Sequence, residues 1–550
     1  MKTKLFALLL MLVIALPALS AQAESPEEFV TIFGGTTPEF DPHRSIYSTE
    51  AQIFTALYEG LFSYDGATLE PLAAAASSWK KSKDGMVYTF QIREDAAWSD
   101  GAPLLASDFR NSWIRMLDLN AQYAAFFDII SGAREYRTKE NTNPESVGIQ
   151  ATGRKTLVVT LNRPAAYFTR LLCHHAFAPI HPSMLGASDW VKRVPFPVNG
   201  PYRFASFEKG RLSLEKNPLY WDEKSVSIHG QVMLFSDDDA AATRMFNNEE
   251  AHWLAGPGDY DAILMEDAIQ VNPIFSTHYW YFDCSKAPWD KASVRRALAL
   301  LLPWKELRDS AKYMVLATTL VLPLPGYSQA KGIESQDRDE ALKLLESAGY
   351  PEGAGLPELN IYFAEGQDNK RQAMLFQAVW KALPSLKVTL APVSPLKYYG
   401  IITGNQKAEG ITLAHTTWIG DFADPEAFLQ MWTPDSPLND SGFKDAEFQT
   451  LLSKSYEKEG KERMSLLAEA ETYLLQKAVV LPIYHGFEAS VIDIDYIEGW
   501  YQNALSIHPY KSLKFGTPSI QPNVASAGPG KTGAALLSAT AAVSTAAPAL

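Results

Sequence analysis

The sequence has very little cysteine and no cluster of positive charge. Its 550 residues include two cysteines, Cys173 and Cys284, so we expect neither a disulfide framework nor a zinc site built from cysteines. Lysines and arginines number 49, against 63 aspartates and glutamates, which gives a net charge of −14. Because affinity for nucleic acid depends on clustered lysine and arginine, nucleic acid is not an expected partner.

The familiar catalytic and cofactor motifs are also missing. The sequence has no glycine-rich phosphate loop ending in Lys-Ser/Thr, no His-Glu-x-x-His motif and no Gly-x-Ser-x-Gly nucleophile elbow. The run of residues 173–175, Cys-His-His, lacks a second cluster that would complete a four-ligand metal site. The three aspartates at 237–239 are interpreted as a turn or helix start rather than a calcium site. We therefore expect no metal site, and no motif here indicates catalysis or a bound cofactor.

The N-terminus carries the one long apolar run. Two lysines precede residues 5–16, and the small-residue sequence Ala-Gln-Ala follows at 21–23. The run is shorter than the roughly 20 residues that span a bilayer. This layout predicts a secretory signal peptide, residues 1–23, with cleavage before Glu24. Because no cysteine lies at that point, we expect a periplasmic protein without a lipid anchor.

The C-terminal end has a different composition from the rest of the chain. Residues 516–550 are mostly Ala, Gly, Ser, Thr and Pro, and Lys531 is their single charge. Such a tail cannot bury enough apolar surface to offset the entropy lost on ordering, which predicts disorder. An extension that binds the cell wall or a partner is the alternative.

Between these ends the chain is typical of a large globular protein. Hydrophobic residues make up 47% of the sequence and aromatic residues 12%, and this length favours two to four domains. Residues 87–93 alternate apolar and polar side chains as in a half-buried strand, whereas Phe109, Trp113 and Met116 recur on one side of a predicted helix. Another long helix is predicted at 461–478. Interspersed helix and strand signals predict a mixed α/β architecture.

Two segments carry candidate ligand-binding residues. Residues 279–282 are four consecutive aromatics, so in a strand one set of rings could line a cleft, and packing in a core strand is the alternative. Residues 418–425 place Asp421 and Asp424 in an apolar stretch. A carboxylate there costs free energy unless a cation or several donors satisfy it, and a ligand ammonium is a natural partner. For Asp424, a structural Lys or Arg, or the cap of a helix starting near Pro425, is the alternative.

Seven segments also match a family pattern, in the expected order. The most specific is 88–109, with the spacing of Arg93, Trp98, Gly101, Pro103 and Asp108. The others are 41–43 with 57–61, 199–202, 217–222, 294–298, 344–350 and 480–484. By these segments the chain resembles the extracytoplasmic solute-binding proteins, family 5, of peptide ABC importers, from about Thr31 to Phe515.

The resemblance implies an α/β, two-lobed, periplasmic-binding-protein-like fold with three domains and a two-strand hinge. Domain I, or lobe one, would comprise residues 24–57, 178–277 and 488–515. An insert domain II would span 58–177, and domain III, or lobe two, would span 278–487. The hinge would lie near Thr277 and Phe487, where two strands cross between the lobes.

The implied function is that of a receptor rather than an enzyme. A monomer would capture extended oligopeptides between two closing lobes and deliver them to a membrane ABC permease, whose ATPase subunits use ATP. A same-fold receptor for a dipeptide or non-peptide solute, or a surface adhesin derived from one, are the alternatives. A hydrolase with a hidden catalytic triad is the rival from another class.

The resemblance also assigns site residues. Asp421, in a Trp-x-x-Asp setting, aligns with the acid that binds the peptide α-amino group. The other implied ligand contacts are the main chain of Ile46, Tyr47 and Ser48, the side chain of Tyr123, and the pocket walls Tyr279, Trp280 and Trp418.

His415 departs from the family pattern. It stands where relatives carry an arginine that can reach the ligand carboxylate. Arginine is always charged, whereas histidine is near half-charged around its reference pKa of about 6.5. We hypothesise a carboxylate contact that is weakened or pH-dependent at His415, which would favour longer or C-terminally indifferent ligands.

Overall fold

The computed structural model describes residues 28–517, apart from 36–37, 46–47, 188, 310–313, 325, 328–329, 404–406, 435 and 437. The predictions for the signal peptide, for Ile46 and Tyr47 and for residues 518–550 lie outside this part of the chain. No helix in the described part is both long and apolar enough to cross a bilayer.

The predicted mixed α/β architecture is confirmed. The strands are β1 (Glu28–Phe33), β2 (Phe62–Tyr64), β3 (Pro71–Ala73), β4 (Ala76–Lys81), β5 (Val87–Ile92), β6 (Ile149–Ala151), β7 (Thr156–Thr160), β8 (Tyr202–Glu208), β9 (Arg211–Lys216), β10 (Gly230–Phe235), β11 (Trp253–Ala255), β12 (Ile269–Phe282), β13 (Val315–Leu316), β14 (Leu359–Ala364), β15 (Val388–Val393), β16 (Leu413–Ile419), β17 (Val480–Ile492), β18 (Ile497–Glu498) and β19 (Lys514–Phe515).

The α-helices alternate with these strands. They are α1 (Ser48–Leu57), α2 (Ala106–Leu119), α3 (Ala133–Arg137), α4 (Phe168–Leu171), α5 (Asp239–Asn247), α6 (Ala292–Leu300), α7 (Trp304–Asp309), α8 (Arg338–Ser347), α9 (Gln367–Trp380), α10 (Pro395–Ile402), α11 (Glu426–Leu429), α12 (Ala446–Tyr456) and α13 (Gly460–Gln476).

One sheet of 11 strands runs through the molecule. Its order is β15-β14-β16-β12-β17-β11-β1-β10-β9-β8, with β13 also paired to β17. The long antiparallel strands β12 and β17 lie at the centre. One part of β12 pairs with β17 at residues 489–491, which adjoin β11, and its other part pairs with both β17 and β16. The two halves of the sheet therefore share this pair of strands.

Strand β12 contains a bulge where it passes from one half to the other. Pro273 is paired with Phe487 and Thr277 with His485, so three residues of β12 face a single residue of β17. Such an insertion bends a strand and interrupts its hydrogen-bond ladder. Because proline has no N–H to donate, Pro273 fits next to this interruption. The bulge coincides with the predicted hinge, and the hinge motion itself stays a prediction.

Residues 58–177 contain a separate sheet of four strands, β4-β5-β7-β6. Strand β5 buries Tyr88, Phe90 and Ile92 as its alternation predicts, and α2 buries the predicted apolar stripe. The Asp108 carboxylate accepts hydrogen bonds from the Leu105 N–H at the start of α2 and from the Trp98 indole. Local sequence therefore accounts well for this part of the fold.

Two large apolar clusters fill the interior. One contains core residues of 29–58, 178–253 and 492–513. The other is continuous from the core of 61–177 to the core of 275–483. Residues 58–177, called the insert segment below, thus pack against the region predicted as lobe two. The predicted domain boundaries themselves stay a prediction. Cys173 and Cys284 are both free thiols.

Candidate functional site

Strand β16, which carries several predicted ligand residues, presents an open edge. One of its edges pairs with β12 along the whole strand. On the other edge β14 meets it at Leu413 alone, through Ile361. At His415 the Tyr398 hydroxyl donates to the main-chain carbonyl and accepts the main-chain N–H, both at 2.9 Å. Within the described chain no strand pairs with residues 416–419 on that side. The N–H and C=O groups of such an edge can bind an extended peptide as an added strand.

The chain leaves β16 through a tightly packed glycine. The Gly420 N–H donates to the Phe275 carbonyl at 2.7 Å, and a Cβ at position 420 would overlap the Phe275 ring. Phe275 lies in the bulge of β12, and its own N–H donates to the Ala504 carbonyl at 2.6 Å. The close approach requires glycine here, and it fixes the main chain that leads into Asp421.

Asp421 is partly exposed, and no cation is paired with it in the described chain. Burial raises the pKa of its carboxyl from 3.8 to about 7. Burial likewise raises the pKa values of Tyr64 and Tyr123, and the charge of Asp421 adds to both shifts. The carboxylate of Asp421 and the hydroxyls of Tyr64 and Tyr123 therefore lie close together. A carboxylate in this setting is stabilised by an added cation with hydrogens to donate, such as an ammonium group.

Asp424, three residues later, is already neutralised. Its two carboxylate oxygens accept hydrogen bonds from the Arg463 guanidinium at 2.6 and 2.8 Å. Its Oδ1 also accepts the Glu426 N–H at 3.0 Å, at the start of α11. Both structural alternatives foreseen for Asp424 are present, a pairing arginine and a helix cap. Of the two acids, Asp421 is the one left to meet a ligand.

His415 lies in β16 with its side chain buried. Its Nε2 accepts the Ala364 N–H at 3.1 Å, and its ring stacks on Tyr398 with centroids 4.8 Å apart. Burial, together with the neighbouring His278, lowers the pKa of His415 well below 6.5. The ring is therefore neutral near pH 7. This packing leaves the hypothesised carboxylate contact without a positive charge, and the contact itself stays a prediction.

The other predicted contacts are dispersed. Trp418 is partly exposed. Its indole N–H donates to the Ala427 carbonyl at 2.8 Å, which fixes the ring beside the loop that follows β16. Tyr123 lies near Asp421, as described. Tyr279 and Trp280 are 1% and 0% exposed, so their predicted role as pocket walls gains no support from this packing. Ser48 begins α1.

Tyr64 also lies near Asp421, although no pattern in the sequence indicates it. Tyr64 belongs to the short strand β2, and its hydroxyl is buried with no hydrogen-bond partner in the described chain. A cavity of about 60 Å³ beside it is lined also by Phe62, Cys173 and His174. No group of three or more metal-ligating side chains occurs in the part of the chain described. Only the tertiary fold brings Tyr64 and the 173–175 run to this place.

Comparison with known proteins identifies the relatives of this chain. The family model for bacterial extracellular solute-binding proteins, family 5 middle, matches residues 70–440. The oligopeptide-binding protein OppA of Bacillus subtilis (strain 168) is 27% identical over 471 residues, which cover 81% of this chain and 85% of the relative.

Solved structures share the fold. The unliganded open form of the periplasmic murein tripeptide binding protein MppA is 22% identical with a TM-score of 0.75, covering 89% of this chain and 97% of that one. Haemophilus influenzae OppA in complex with RPPGFSPFR is 23% identical with a TM-score of 0.66, covering 89% and 99%. The two-lobed architecture of these proteins is thus the architecture of this chain.

Proposed function

Because this chain belongs to the bacterial extracellular solute-binding proteins of family 5, we propose that it is the substrate-binding receptor of an ABC importer, and that it captures extended oligopeptides between two closing lobes. The relatives named above include oligopeptide-binding proteins, one of them in complex with a nine-residue peptide. The family is one of solute receptors rather than enzymes. A bound peptide should accordingly be released intact.

The observation that carries the proposal is the unpaired carboxylate of Asp421 at the end of an open strand edge. The α-ammonium group of a peptide supplies the missing charge and three donors. From there the peptide main chain extends along residues 416–419 of β16. Main-chain hydrogen bonds are common to all peptides, so this mode tolerates many sequences. Tyr123 and Trp418 flank the peptide, and residues 46–48 pair with its main chain.

The proposed setting follows from the signal peptide and the family. The chain is exported, is cleaved before Glu24 and acts in the periplasm as a monomer. It presents its closed form to a membrane permease, and the ATPase subunits of that importer use ATP. It needs no metal or cofactor to bind peptide.

Native mass spectrometry of the purified mature chain tests the proposal. We expect a set of heterogeneous short peptides to be released on denaturation, since cellular peptides are the substrate. Retention of an equimolar library of synthetic pentapeptides with free N-termini is the second arm. A single non-peptide mass, or an empty protein that ignores the library, would reject an oligopeptide receptor.

Affinity for a free-amine peptide should depend on pH in a bell shape. Binding needs the ionised carboxylate of Asp421, whose pKa is about 7, so affinity falls by up to tenfold per pH unit below that value. Above pH 8 the peptide α-amino group, with a reference pKa of about 7.7–8.0, loses its proton and affinity falls again. Calorimetric titration from pH 5 to 9.5 measures both limbs. A flat profile would contradict an ammonium–carboxylate contact.

A further inference from the structure

The loop that carries Asp421 also carries two buried acids that lie beside two arginines. We refer to residues 420–426 as the Asp421 loop. Asp424 and Glu426 at its end are both 0% exposed. Burial raises the pKa of Glu426, although Arg163 and Arg463 oppose the shift. A buried carboxylate is costly unless a cation or hydrogen-bond donors compensate it, and here two arginines lie beside the two acids.

The region predicted as lobe two supplies only one of these charges. Arg463 of α13 is engaged with Asp424 by two hydrogen bonds, and its distance to the Glu426 carboxylate is 3.9 Å. The second charge is Arg163, which comes from the insert segment and lies 3.7 Å from Glu426. No other basic side chain in the described chain is ion-paired with either acid. Of the two arginines, Arg163 therefore reaches the Asp421 loop from the insert segment, a different part of the molecule.

Arg163 is held in place by aromatic rings on both sides of this junction. One of its guanidinium nitrogens donates to the Tyr167 hydroxyl at 3.1 Å within the insert segment. Its guanidinium carbon lies 4.2 Å from the ring centroid of Tyr456, in α12, at a distance where cation–π attraction is significant. Arg163 thus contacts the insert segment, α12 and the Asp421 loop at once.

A second contact joins the insert segment to the same loop. The Phe422 ring, next to Asp421, stacks on Tyr167 with centroids 5.3 Å apart and an interplanar angle of 17°. Its other neighbour is Phe126, at 6.3 Å. A cavity of about 180 Å³ remains beside Arg163 and these rings. The packing is therefore incomplete at this place, and Arg163 is the one basic side chain that lines the cavity.

We propose that Arg163 is a positioning residue for peptide binding: it neutralises Glu426 across the junction and so holds the Asp421 loop against the insert segment. The proposal rests on the proposed function, because the ligand contact is made by Asp421 and not by Arg163. Loss of Arg163 leaves Glu426 with Arg463 alone, which lies 3.9 Å away and is already bound to Asp424, and the loop then separates from the insert segment more easily. The consequence is faster release of bound peptide.

The chain contains a matched control for this role. Lys81 in β4 forms an ion pair with Glu459, which also joins the insert segment to lobe two, but the two side chains are 34% and 65% exposed. Exposed pairs of this kind contribute little. Lys81→Gln therefore removes one positive charge across the same junction without uncovering a buried carboxylate. Arg163→Gln is the test variant, and Arg163→Lys restores the charge without the planar guanidinium.

The experiment measures binding and local order in the mature chain. With the pentapeptide library as probe, we expect Arg163→Gln to weaken affinity at least tenfold, mainly through faster dissociation, Lys81→Gln to change it less than twofold, and Arg163→Lys to fall between them. Hydrogen exchange should rise across residues 420–429 in Arg163→Gln alone. Its thermal midpoint should fall below that of Lys81→Gln, because a buried carboxylate loses one of its cations, so affinity and exchange are compared at a temperature at which both variants are folded.

Three outcomes would overturn the proposal. The first is that Arg163→Gln matches Lys81→Gln in affinity and in exchange. The second is a lowered thermal midpoint with unchanged affinity, which would make the contact merely structural. The third is weaker binding with no change of exchange at 420–429. If the unmodified protein binds no peptide, the proposed function fails instead, and the exchange comparison still decides the role of Arg163.

Discussion

Replacing Asp421 by alanine is expected to weaken binding of a free-amine peptide by about 2–5 kcal/mol, the range for truncating one partner of a buried hydrogen-bonded charge pair. This corresponds to roughly 30- to 5,000-fold in dissociation constant. The reason is that Asp424, the next acid along the chain, cannot replace Asp421, since both of its oxygens are bound to Arg463. Isothermal titration of both proteins with the same peptide measures the difference.

Two controls separate a ligand contact from a structural role. An N-acetylated peptide should lose nearly the same affinity against the unmodified protein, because acetylation removes the positive charge. Asp421→Asn keeps the shape and should also remove the acid limb of the pH profile. If the alanine variant and the acetylated peptide both bind with unchanged affinity, Asp421 does not receive the peptide amine.

Asp421→Asn should stabilise the free protein above neutral pH, although it weakens peptide binding. The folded pKa of Asp421, about 7, lies above its unfolded value near 3.9. Stability from this group is therefore fully present below the unfolded pKa and is lost as pH rises through the folded pKa. Asp421→Asn avoids this loss, so its thermal midpoint should exceed that of the unmodified protein at pH 8 and not at pH 4. The carboxylate is retained at a cost to the free protein.

Arg463→Ala is expected to lower the free energy of unfolding by about 3–5 kcal/mol, because it leaves a buried carboxylate without its cation. Both Asp424 and Glu426 are fully buried beside it, so the loss falls on the folded state. Urea unfolding followed by tryptophan fluorescence measures the change. The rings of Trp418 and Trp432 lie in the affected region.

Two comparisons test whether the loss comes from the uncompensated charge. The double variant Asp424→Leu, Arg463→Met removes both charges together and should recover much of the stability. Arg193→Ala breaks an exposed pair with Asp189 and should cost at most about 1 kcal/mol. Equal losses of unfolding free energy for Arg463→Ala and Arg193→Ala would show that the buried ion pair contributes no more stability than the exposed one.

The sequence predicted elements whose cause is local. The strand at 87–93 is observed as Val87–Ile92 and the helix at 461–478 as Gly460–Gln476, because alternation and amphipathic spacing are properties of neighbouring residues. The family segment 480–484 is only the start of β17, which continues to Ile492. Its second half pairs with β11 and β12, and such pairing is invisible in the local pattern.

The site was predictable in part for the same reason. An acid in an apolar, glycine-containing stretch marked the 418–425 segment, but the sequence left open which acid is satisfied internally. The answer depends on Arg463, 39 residues from Asp424 along the chain. Arg163 and Tyr64 belong to another part of the chain and carry no pattern of their own. Their placement beside the Asp421 loop is a product of the fold.

The bulge of β12 has a mechanical consequence. Phe275 within it bonds through its N–H to Ala504 and through its carbonyl to Gly420, whose neighbour is Asp421. If the two central strands flex at this point, the torsional change reaches the Asp421 carboxylate through a single peptide unit. Bending of β12 and β17 and the orientation of the Asp421 carboxylate would then be coupled. The arrangement of the two lobes would therefore determine how the two oxygens of this carboxylate are placed.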